Sequence, residues 1–124
     1  MNDYYEKGAM FPKPKSSQKR KKQNGWKDKE NRVCYYTGQP NAERHEVFGG
    51  ANRQQSIDMG FQVDLSPEIH RRFHSKSDEW ARKEIERWQI YYQVKYIQKL
   101  VETGISQEQA MELWMLMIGK NYLW

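Results

Sequence analysis

Cysteine is almost absent from this chain: Cys34 is the single thiol among 124 residues. That excludes an intrachain disulfide and fits a reducing compartment. Long apolar runs are absent as well. No stretch approaches the roughly 20 consecutive apolar residues that span a bilayer, and Met1 to Phe11 lacks the apolar run of a secretory signal. The expectation is a soluble, cytoplasmic protein with no membrane partner. Histidine is scarce too: there are three, and all lie between positions 45 and 74. A length of 124 residues leaves room for one compact domain and a tail, not two full domains. A mean hydropathy of −1.11 implies that much of the chain is solvated. Five Trp and eight Tyr can still build a small aromatic-rich core.

Acidic residues are few where basic ones are many. Through Arg32 there are ten Lys/Arg against four Asp/Glu, and from Val33 onward eleven against twelve, so the net +5 resides in the first quarter. The charge peaks at Lys19, Arg20, Lys21 and Lys22, among Pro12, Pro14, Ser16, Ser17 and Gly25, with no regular apolar pattern. Residues 1–32 therefore read as a disordered basic arm. Such an arm is either a solubilising tail or a phosphate-backbone contact whose affinity comes from counterion release.

The folded part begins at Val33. Tyr36 to Asn41 is rich in turn formers, Arg44 to Phe48 is a short strand stopped by Gly49-Gly50, and Ala51 to Gly60 reads as a polar loop. Phe61 to Leu65 alternates apolar and polar, the pattern of a half-buried strand. Ser66 as N-cap, Pro67 at the first helical position and Glu68 in the first turn then start a helix. A long helix is predicted from Asp78 to about Thr103, stopped by Gly104. Its main apolar stripe is Ala81, Ile85, Trp88, Tyr92, Tyr96 and Leu100. Ile90, Val94, Ile97 and Val101 add a second stripe over the C-terminal half. A last helix starts at the capping box Ser106–Gln109 and ends at Gly119. These two helices can bury one another as a hairpin, and a residual apolar face would allow a homodimer.

His70 and His74 are one helical turn apart, so their imidazoles share a face and can share an ion. His45 lies on the earlier strand, which can pack against that helix. The run His45-Glu46-Val47-Phe48-Gly49-Gly50-Ala51-Asn52-Arg53, then Gly60 to Leu65, then His70 with His74, resembles the HNH nuclease family in its small, bacteriophage-encoded branch. The resemblance covers roughly Cys34 to His74. It implies an α+β fold with a ββα-metal core over residues 33–76 and C-terminal helices over 77–124. The activity it implies is metal-dependent hydrolysis of phosphodiester bonds in DNA inside a bacterial host cell.

Position by position, the resemblance makes His45, His70 and His74 ligands of one divalent ion, Mg, Mn, Ni or Zn. Glu46 falls where many members carry the histidine that acts as general base, and Asn52 where an asparagine orients the loop and the base. Arg53 is placed to hold a phosphate oxygen. Two departures stand out. Many members brace the fold with two Cys-x-x-Cys pairs around a structural zinc. Here Thr37 replaces the partner of Cys34, and Ser66 and Ile69 occupy the second pair's region, so no structural zinc is expected. Glu46 is the other departure: strand neighbours point to opposite faces, so Glu46 and His45 would reach one ion only on a distorted strand. Three readings stay open. The chain is a DNA endonuclease, a catalytically inactive DNA-binding or recombination accessory protein on the same scaffold, or a small helical interaction protein.

Overall fold

In the computed structural model, which describes residues 31–75 and 77–123, the Cys34 turn is tied back on itself. The Cys34 amide donates to the Gln39 carbonyl and the Gly38 amide to the Cys34 carbonyl, each over 2.8 Å. The basic cluster Lys19 to Lys22 lies outside the described residues. Strand β1 (Glu43–Glu46) pairs antiparallel with β2 (Gln62–Leu65). The partners are Glu43 with Leu65, Arg44 with Asp64, His45 with Val63, and Glu46 with Gln62. By strand alternation, Glu43 and His45 share one face, while Arg44 and Glu46 share the other.

The segment between the strands differs from the polar loop expected. A single 3-10 turn (Gly50–Asn52) leads into helix α1 (Arg53–Met59). The core-facing position of α1 is a serine, which hides the apolar period. Ser56 is fully buried, its hydroxyl donating to the Phe48 carbonyl over 2.8 Å and accepting the Phe48 amide over 2.9 Å. Gly60 ends α1 in the left-handed region at φ +77°, where a side chain would be strained.

Helix α2 (Pro67–His74) starts where the sequence places it, with the Ser66 hydroxyl accepting the Ile69 amide. Ile69 and Phe73, one turn apart, face the core. Helices α3 (Glu79–Glu102) and α4 (Gln107–Met117) pack together as a hairpin. Asp78 caps α3 and also holds Arg72 from α2 at 2.6 Å. The Ser106–Gln109 capping box of α4 forms in both directions. Among the described residues the architecture is a small α+β fold with one two-stranded antiparallel sheet and four α-helices. No helix there is long and apolar enough to cross a membrane.

The core is aromatic and joins the sheet to the hairpin. Trp114 is fully buried against Phe48, Phe61 and Tyr96, with ring centroids 5.4–5.9 Å apart. A second group, Tyr36, Phe73 and Trp80, packs α2 against α3. Within α3, Gln93 is buried, a polar interruption between the apolar stripes. Its amide donates to Asn121 Oδ1 over 2.9 Å and its carbonyl accepts the Tyr122 amide over 2.7 Å, pinning the segment after α4.

Candidate metal centre

The three histidines meet at the face of the sheet that α2 covers. His45 is supplied by β1 and is almost fully buried, its ring edge-on to Phe73 at 5.3 Å. His70 and His74 project from successive turns of α2, and their Nε2 atoms are 3.3 Å apart. The ring of His45 lies 5.3 Å from that of His70 and 5.6 Å from that of His74. One ligand atom from each histidine can be chosen so that all lie within 4.8 Å of one another. The three are therefore close enough to hold a metal ion.

The donor chemistry fits a divalent transition metal. Zinc–imidazole bonds of about 2.0–2.1 Å at tetrahedral angles place two ligand nitrogens roughly 3.3–3.4 Å apart. The His70–His74 separation of 3.3 Å already matches that edge. Three nitrogens with a position left over is also the ligand count of catalytic zinc sites, whereas magnesium prefers oxygen donors. Burial, reinforced by the facing His70 and His74, lowers the pKa of His45 to about 3. His45 is therefore neutral through the physiological range, the form in which an imidazole nitrogen can bind a metal.

A residue outside the expected set joins the cluster. Glu43 Oε1 lies 2.8 Å from His70 Nδ1, bridging β1 to α2 beside the histidines. The signal in the sequence was its spacing: two positions before His45 puts it on the same strand face.

The other expected residues are distributed around the centre rather than gathered into it. Glu46 is on the opposite face of β1, and its carboxylate lies 3.4 Å from Arg53 Nε. Arg53 opens α1, and its side chain is more than half exposed. The Asn52 amide donates to the Ile118 carbonyl over 2.9 Å, so it ties the inter-strand turn to the end of α4. Cys34 is buried and is not part of the histidine group. Burial pushes its thiol up, but the Thr37 hydroxyl and the amides of Ser66, Thr37 and Tyr36 outweigh this and lower it to about 7.

No protein-family model, curated protein or solved structure matches the chain.

Proposed function

We propose that this chain is a metal-dependent DNA endonuclease of the HNH type, with His45, His70 and His74 holding its ion. The observation that carries the reading is the convergence of those three imidazoles from a strand and the helix that follows the second strand. A strand, a second strand and a histidine-bearing helix follow one another as in the resemblance, with helix α1 standing where a loop was expected between the strands. The lysine- and arginine-rich first quarter supplies a reason for a polyanionic substrate.

A bound divalent ion would supply Lewis-acid stabilisation of the charge that develops on a scissile phosphate. The chain's own residues then divide the remaining work. Phe73 backs the His45 ring and keeps it in place, while the helical spacing fixes His70 against His74. Arg53, exposed and next to the inter-strand turn, is available to a phosphate oxygen, and Glu46 holds its guanidinium from below.

The pairing of Glu46 with Arg53 also favours a second reading, a DNA-binding protein on the same scaffold that does not cut. A carboxylate committed to Arg53 on the far strand face is not positioned to take a proton from water at the histidines. Plasmid nicking separates the two. For the endonuclease, cleavage appears with Mn²⁺, Ni²⁺ or Zn²⁺, stops in EDTA, and disappears in His70→Ala while DNA binding persists. Cleavage by His70→Ala at the wild-type rate would refute the endonuclease assignment. Metal-independent DNA binding without cleavage would establish the second reading.

A further inference from the structure

We propose that Glu43 is a positioning residue for the metal centre. Its carboxylate holds the Nδ1–H of His70 and so aims the Nε2 lone pair of that ring at His45 and His74. The inference rests on the metal-binding reading of the three histidines and adds to it a residue from outside the ligand set.

The geometry runs through both nitrogens of one ring. At 2.8 Å from Glu43 Oε1, His70 Nδ1 can only be the donor, because a carboxylate accepts. The neutral ring must then carry its lone pair on Nε2, the atom 3.3 Å from His74 Nε2. Neutral histidine in water prefers the other tautomer, with the proton on Nε2, which would block the ligand position. Glu43 removes that competition before any ion arrives. Carboxylate partners of this kind typically change metal affinity 10–100-fold.

The placement is built into the sheet register. Glu43 pairs with Leu65 and His45 with Val63, so a ligand and the brace of a second ligand stand two residues apart on one strand face. A slip of one residue would turn both away from α2 together. The pair does little for folding by comparison: the side chains are 22% and 36% exposed, and ion pairs open to solvent contribute weakly to stability. Its effect is to be sought at the metal, not in the melting temperature.

The test uses the full chain with Glu43→Ala and Glu43→Gln, and Asp64→Asn on the opposite face as control. The first readout needs no metal: long-range nitrogen–proton NMR of the imidazoles in alkaline buffer with EDTA. Wild type should show His70 protonated at Nδ1, and Glu43→Ala should move it toward Nε2–H. Glu43→Gln keeps an acceptor and should keep the Nδ1–H form. The second readout is Zn²⁺ affinity by competition with a chromophoric chelator. Glu43→Ala should bind about 10–100-fold more weakly, with Glu43→Gln between it and wild type and Asp64→Asn unchanged. A wild-type His70 protonated at Nε2 would overturn the proposal. So would a Glu43→Ala variant that binds Zn²⁺ as tightly as a binding-competent wild type. A wild type that binds no Zn²⁺ but keeps the Nδ1–H form would instead sink the metal reading, leaving the Glu43–His70 contact a structural one.

Discussion

Replacing Asn52 by alanine separates a structural role for this residue from a catalytic one. Its amide donates to the Ile118 carbonyl over 2.9 Å, and Ile118 is the buried residue that closes α4. A net protein hydrogen bond contributes about 0.5–1.5 kcal/mol, and stranding a buried acceptor costs about 1–3 kcal/mol. Because the contact is only partly buried, water can recover some of that loss, and the expected destabilisation is about 1–2 kcal/mol. At about 4–8 °C per kcal/mol for a domain of this size, Tm should fall by roughly 5–15 °C. Asn52→Asp should lose as much, since it sets a carboxylate oxygen against the carbonyl. Metal affinity should stay within about a factor of two, because Asn52 shares no partner with the histidines. Thermal melts in EDTA, paired with Zn²⁺ titration of both variants, measure the two effects separately. An unchanged Tm together with a collapse of metal affinity would refute this reasoning and place Asn52 at the centre itself.

Acid should weaken the metal-free fold partly through His45. Its folded pKa of about 3 lies below the ordinary imidazole value. As pH falls from about 6.5 the unfolded chain takes up a proton that the folded one refuses, and stability drops by up to about 1.4 kcal/mol per pH unit. In EDTA, urea melts of His45→Leu should therefore lose less stability than wild type between neutral and mildly acid pH; equal slopes would contradict the burial argument. Deleting residues 1–22 removes the Lys19 to Lys22 cluster and should weaken DNA binding alike for all sequences, with a flatter salt dependence. An unchanged slope in fluorescence anisotropy would show that this segment does not meet the phosphates.

Helix starts were the most legible part of the fold, because their signals are local. Ser66-Pro67 and the Ser106–Gln109 box each announce a helix by side chains that satisfy its first amides. The histidine cluster was legible for a related reason: a one-turn spacing is geometric, and the strand–helix contact brings His45 to it. Helix α1 was hidden because Ser56, not an apolar residue, occupies its buried position and satisfies itself on Phe48. Gly60, which ends the helix at φ +77°, was the cue available. Gln93 escaped notice because its partners, Asn121 and Tyr122, are nearly thirty positions away, and no local pattern encodes them. Glu43 was passed over for the opposite reason. A glutamate at a strand start reads as a solvated charge until the helix bearing His70 is laid across it.

The central claim is that His45, His70 and His74 hold one divalent ion. Isothermal titration of the full chain with Zn²⁺ tests it most directly, run beside a His70→Ala/His74→Ala double variant whose circular dichroism confirms the fold. The account predicts a single saturable site per chain in the wild type and none in the variant. No binding by the wild type, or the same single site in the double variant, would contradict it.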